Sequence, residues 1–140
     1  MDGKDFEIIK ALQADARAPF LGIAKKLRMS ESAVRKRVKR LEREGAIERY
    51  TVVVNPQKLG YNAVAIVGLD VAPDKYLAIA EALTKLEEVR GVTTSTGDHM
   101  IMAEIWAHDN RELTDIVLKR IGKLEGVTRV CPAIVLERIK

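Results

Sequence analysis

The 140-residue sequence has one cysteine, Cys131, and two histidines, His99 and His108. A single cysteine makes no internal disulfide, and it cannot build an all-cysteine or paired Cys/His zinc site within one chain. Long apolar runs are also missing. Stretches such as Val64 to Leu69 fall far short of the roughly 18 residues of a membrane span. Met1 to Asp5 carries two aspartates with no apolar core behind them, so it does not read as a secretory signal. No nucleophile–base pair, phosphate loop or carboxylate pair with catalytic spacing stands out, and no enzyme or cofactor is expected. The chain also lacks the mark of disorder, which is few apolar residues with high net charge: it is 47% apolar and 31% charged, with a net charge of +4. These absences lead to the expectation of a soluble cytoplasmic protein with one ordinary domain or two small ones.

What is present is unevenly distributed. Residues 1–50 hold 13 Lys/Arg against 8 Asp/Glu, whereas residues 51–140 hold 11 against 12. A basic segment joined to a near-neutral, apolar one suggests a polyanion-binding module attached to a structural or sensing module.

Periodicity divides the chain at about residue 55. Phe6, Ile9 and Leu12, with Ile8 on the flank, predict a helix from Asp5 to Ala16. Pro19 suits the first turn of a second helix whose apolar face is Ile23, Ala24 and Leu27. Ser30 is a good N-cap for a third helix, with Val34, Val38 and Leu41 inward and Gly45 as its stop. Ala46 to Val54 follows, and its β-branched run Thr51-Val52-Val53-Val54 predicts a strand. Residues 1–54 therefore read as one domain and 55–61, with Pro56 and Gly60, as a linker.

Residues 62–140 change period. Strands are expected over Ala63–Val71, Val92–Thr96, Ile101–Ala107 and Val127–Ile139, the last interrupted early by Pro132. Helices are expected over Asp74–Glu88 and Asn110–Leu124. The order βαββαβ is the ferredoxin-like arrangement, giving an α+β protein. A weak repeat agrees with it: Lys85-Leu86-Glu87 leads to Gly91-Val92-Thr93, and Lys123-Leu124-Glu125 leads to Gly126-Val127-Thr128. Helices cover only one face of such a sheet, yet both faces are apolar. Val64 and Ile66 oppose Ala65, Val67 and Leu69, and Ile101, Ala103 and Ile105 oppose Met100, Met102 and Trp106. A second copy of the chain is the expected cover.

The third helix carries the chemistry. At about 100° per residue, Ser32, Lys36, Lys39, Arg40 and Arg43 fall opposite the packed stripe, with Arg35 and Arg37 on its flanks. One packed face and one cationic face fit the major groove of duplex DNA, and the turn Arg28-Met29-Ser30 completes a helix-turn-helix. Ser32, Ala33, Lys36 and Lys39 are expected at base edges. Arg28, Arg35, Arg37, Arg40 and Arg43 are expected at phosphates, with Ser30 in the turn.

With these segments in order, the chain resembles the Lrp/AsnC, or feast/famine, family of transcription regulators, most nearly its archaeal LrpA-type members. The resemblance rests on Ile23-Ala24-Lys25-Lys26-Leu27, Ser32 to Glu42, Gly45-Ala46-Ile47, Asn55-Pro56, Leu59-Gly60-Tyr61, Thr96-Gly97-Asp98 and Gly126-Val127. It covers nearly the whole chain. It implies an N-terminal winged helix-turn-helix and a C-terminal effector and oligomerisation (RAM) domain. It also implies dimers that assemble into tetramers or octamers, and an amino-acid effector at Thr96, Gly97, Asp98, His99 and Met100.

Two positions depart from the family pattern. Arg28 stands where most members have glycine, and a left-handed residue there costs about 1 kcal/mol, which a phosphate contact would offset. Met100 replaces the second acidic residue of the Gly-Asp-Tyr-Asp loop, a plausible partner for an effector ammonium group, which points to a different effector or to none. Asp98 reads equally as a solvated turn residue. His99 in a turn, His108 at a helix start and Cys131 as a small buried hydrophobe read as structural, with no metal expected. Tyr61 reads as an anchor for the linker.

The expectation is a sequence-specific repressor, its own promoter among its targets. Three alternatives stay open: a small-molecule sensor with secondary DNA binding, an architectural protein binding DNA by charge alone, and a ferredoxin-like enzyme subunit.

Overall fold

The computed structural model describes residues 1–139. They form two compact units, Met1–Val53 and Val54–Lys140. No helix among the described residues is long and apolar enough to cross a membrane.

The first unit contains α1 (Gly3–Ala14), α2 (Phe20–Leu27) and α3 (Glu31–Arg43). Asp2 caps α1 through a capping box with Asp5. The packed face of α1 is Asp5, Ile8 and Leu12, not Phe6, Ile9 and Leu12; Phe6 is 54% exposed. Apolar periodicity missed this face because a carboxylate occupies one of its positions. Pro19 stands one residue before α2, as its N-cap. Ser30 Oγ accepts from Ala33 N at 3.2 Å, and Val34, Val38 and Leu41 are buried as the periodicity requires. Ile8, Leu12, Ile23, Ala24, Val34 and Val38 form the core of this unit. Each large aliphatic among them contributes about 1.5–3 kcal/mol by leaving water.

The strand expected over residues 46–54 is not formed among the described residues. Val52 and Val53 are 79% and 84% exposed. β-Propensity describes fit to a neighbouring strand, and among the described residues no strand pairs with this segment.

The second unit opens with a 3-10 turn, Pro56–Leu59. It continues as β1 (Ala63–Val71), α4 (Tyr76–Thr84), β2 (Val89–Thr94), β3 (Ile101–Ala107), α5 (Asn110–Asp115) and β4 (Val127–Ile134). The four strands form one antiparallel sheet in the order β2-β3-β1-β4, which is the ferredoxin-like topology. Ala63, Ala65, Val67 and Leu69 of β1 and Ile101, Ala103 and Ile105 of β3 are buried with Ile79 and Leu83 of α4 and Leu113 of α5.

The helices are shorter than expected. A 3-10 turn, Pro73–Lys75, precedes α4, and β2 starts at Val89 because that residue already pairs with Ile105. After Asp115 the second helix widens into a π-helical turn, Ile116–Ile121, where Gly122 N donates to Val117 O at 2.8 Å. A 3.6-residue period carries no sign of that extra residue. Pro132 lies inside β4, opposite Val67, and does not break it. β4 is an edge strand, where a residue without an N–H is tolerated.

On the other sheet face, Val64 is half-buried, Ile66 is exposed, and Met102 and Trp106 are half-buried. Tyr61 anchors the start of this unit. Its ring lies 5.6 Å from Trp106 and 4.9 Å from His108, and the Arg90 guanidinium lies over both Tyr61 and Trp106.

Candidate nucleic-acid interface

Helix α3 presents a shallow concavity lined by Ser32, Ala33, Arg35, Lys36, Arg37, Lys39, Arg40 and Arg43. At 13 residues the helix is about 20 Å long, a fit for a major groove about 12 Å wide. Its side chains divide into two groups. Ser32, Lys36, Lys39 and Arg43 are exposed, and among the described residues the three cations have no carboxylate within ion-pair distance. Arg35 is also exposed. It bonds Glu31 at 2.7 Å and lies over the Phe20 ring, a surface pair that leaves it accessible.

Arg37 and Arg40 behave differently. Arg37 Nη1 donates to Asp2 Oδ2 and Asp5 Oδ1, both at 2.7 Å, and Arg40 Nη2 donates to Asp5 Oδ2 at 2.6 Å. Arg40, expected on the outward face, and Arg37, expected on its flank, both bond acidic residues at the start of α1 while lining the same concavity. Asp5 is fully buried. Burial pushes its carboxyl up, but the Asp2 amide, the Arg37 guanidinium and the Arg40 charge overcome this and hold it at about 2. The Arg37 hydrogen bond also lowers the Asp2 carboxyl. Sequence reasoning passed over Asp5. Its signal was present: Asp2 and Asp5 three residues apart at a helix start, facing two arginines three residues apart on α3.

The turn between α2 and α3 places Arg28 at φ 52°, ψ 53°, the only non-glycine residue of positive φ among the described residues. Its side chain is exposed.

In the second unit, the loop 95–100 is closed on itself. Met100 O accepts from Ser95 N at 2.9 Å, and His99 O accepts from Ser95 Oγ at 2.7 Å. Thr96, Gly97 and Asp98 form its exposed tip, with Gly97 at φ +116°, a conformation that favours glycine. The other two expected effector residues turn toward the sheet. Met100 packs on the core, and the His99 ring lies over Gly68, where a Cβ would collide with it. His99 Nδ1 and Asp70 Oδ1 are 3.0 Å apart. Asp70, not singled out from sequence, thus ties the loop to β1.

His108 Nδ1 pairs with Glu112 at 2.8 Å, and Glu112 is lowered chiefly by the His108 amide. Cys131 is half-buried on β4. Among the described residues no group of three His, Cys, Asp or Glu side chains is placed to hold a metal ion.

Residues 1–42 match the AsnC-type helix-turn-helix domain, and residues 64–140 match the Lrp/AsnC ligand binding domain. The chain is 55% identical over 140 residues to the HTH-type transcriptional regulator LrpA of Pyrococcus horikoshii, covering all of this chain and 99% of that one. This chain belongs to the Lrp/AsnC family. Its Lrp/AsnC relatives are transcriptional regulators, not enzymes, and it is a DNA-binding transcriptional regulator with a ligand-binding domain. Solved Lrp/AsnC folds agree. Escherichia coli AsnC superposes with a TM-score of 0.87 at 23% identity, covering all of this chain and 95% of that one. A Neisseria meningitidis transcriptional regulator solved as an L-Met complex superposes at 0.89 with 23% identity, covering 100% and 92%.

Proposed function

We propose that this Lrp/AsnC chain is a sequence-specific repressor whose operators include its own promoter, working in the cytoplasm as dimers or higher oligomers. Residues 1–54 bind DNA, 55–61 link, and 62–140 bind effector and assemble. The observation that carries this reading is the exposed face of α3, where Lys36, Lys39 and Arg43 have no carboxylate partner among the described residues. Ser32, Ala33, Lys36 and Lys39 take the base edges. Arg28, Arg35 and Arg43 take phosphates, with Ser30 holding the helix start.

The effector is an amino acid held at the loop tip, with backbone donors near Gly97 for its carboxylate and Asp98 for its ammonium. The L-Met complex of the Neisseria regulator supports that ligand class. The uncovered sheet face of Val64, Ile66, Met102 and Trp106 supports assembly.

Selection of bound sequences from random duplex DNA at near-physiological salt tests the reading. An enriched, roughly palindromic motif with half-sites about one helical turn apart, or a multiple of that, is expected. With that duplex, Lys36→Ala lowers discrimination between sequences. No enrichment would leave an architectural binder or a sensor, and light scattering with a panel of amino acids would separate these by a ligand-dependent change of mass.

A further inference from the structure

Of the seven cations from Arg28 to Arg43, four (Arg28, Lys36, Lys39 and Arg43) have no carboxylate within ion-pair distance among the described residues, and two are held at a buried one. The latter two decide how the charge of α3 reaches DNA. Asp5 is the only charged residue buried in the described chain. Both its carboxylate oxygens accept guanidinium bonds from α3, at 2.6 and 2.7 Å, and Oδ2 also accepts from the Asp2 amide at 2.7 Å. Arg40 is drawn in far enough that its Nε is buried without an acceptor, Glu44 Oε2 lying 3.9 Å away. A guanidinium clamped by a buried carboxylate is already neutralised and fixed in direction. It releases few counterions on meeting a phosphate, and it locks the helix that carries it.

We propose that Asp5 is a specificity-determining positioning residue: it removes Arg37 and Arg40 from the phosphate-binding set and uses them to fix α3. Phosphate contact then rests on Arg43 and the flanking Arg28 and Arg35, while Lys36 and Lys39 face the base edges. Neutral Asn at position 5 frees two cations on the DNA side and loosens the helix that reads bases. Binding to any duplex strengthens while discrimination falls.

This inference rests on the DNA-binding reading above. Its test uses the full-length chain with two probes, a duplex enriched from random sequence and a scrambled duplex of equal length. Each is titrated at several salt concentrations. Asp5→Asn is expected to steepen the salt slope on scrambled duplex by about 0.9 for each arginine released to a phosphate. The ratio of affinities for the two duplexes is expected to fall about tenfold, a coupling of about 1.4 kcal/mol. Parallel weakening on both duplexes, or an unchanged slope, would reduce Asp5 to a helix-packing residue and overturn the proposal.

If circular dichroism shows that Asp5→Asn does not fold, Arg37→Gln and Arg40→Gln decide. Each should leave the salt slope unchanged, whereas Arg43→Ala flattens it by about one. Flattening by Arg37→Gln or Arg40→Gln to the same extent would overturn the proposal. A wild-type chain that binds neither duplex would remove the DNA-binding reading and this inference together.

Discussion

Asp5 shows how one residue ties sequence to stability and function. Its carboxyl falls from 3.8 to about 2 on folding. A depressed carboxyl pKa stabilises the fold above its unfolded value, and that contribution is lost as pH falls through the folded value. The stability difference between wild type and Asp5→Asn is therefore expected to be constant above pH 4 and to shrink between about 4 and 2, read by denaturant unfolding across pH. A difference that does not change with pH would mean that the ion pairs carry none of it. Gly68 illustrates a different constraint, the space under the His99 ring. Gly68→Ala is expected to push that ring off Asp70 and cost about 1–3 kcal/mol. Thermal unfolding reads the cost, and the imidazole NMR signals of His99 read the displacement. An unchanged melting temperature with unmoved signals would show that the added methyl is accommodated without displacing the ring.

Among the elements, the turn between α2 and α3 holds a cost that the sequence made visible. Arg28 occupies a left-handed position that glycine takes without strain. Arg28→Gly is expected to raise stability by about 1 kcal/mol while weakening DNA binding and flattening its salt slope by about one. Unfolding and gel-shift titrations on the same variant measure both, and a gain in stability with unchanged DNA binding would place Arg28 away from phosphate. The packed stripe of α3 and its Ser30 cap were legible because period and cap are local signals. The face of α1 was not, because hydrophobicity scores no carboxylate as interior. The π-helical turn after Asp115 was likewise hidden, since Leu113, Val117 and Ile121 keep a spacing of four that an α-helix also gives.

For the whole molecule, the open face of the sheet is the feature a single chain leaves unfinished. Ile66 is 43% exposed on β1, between the half-buried Val64 and Gly68, which lies under His99. Ile66→Lys is expected to lower the mass in solution toward that of one chain, 15.6 kDa, by light scattering, with little change in far-UV circular dichroism. An unchanged mass would place the contact between copies elsewhere. Thr51 to Val54 belongs to the same scale. Its β-branched run was read as a strand, but a strand exists only where another backbone completes its hydrogen bonds, and none among the described residues does.

By itself the sequence determined the order of elements, the α+β class, the basic first unit and the inward stripe of α3. Each follows from residues within a turn or two of one another, or from composition. The tertiary structure decided which cations on α3 remain free, because Arg37 and Arg40 meet acidic partners 32 and 35 residues earlier in the chain. It also decided the direction of His99, whose partner Asp70 is 29 residues away on β1. A hydrogen bond between residues so far apart leaves no period in the sequence. Only the fold brings its two ends together.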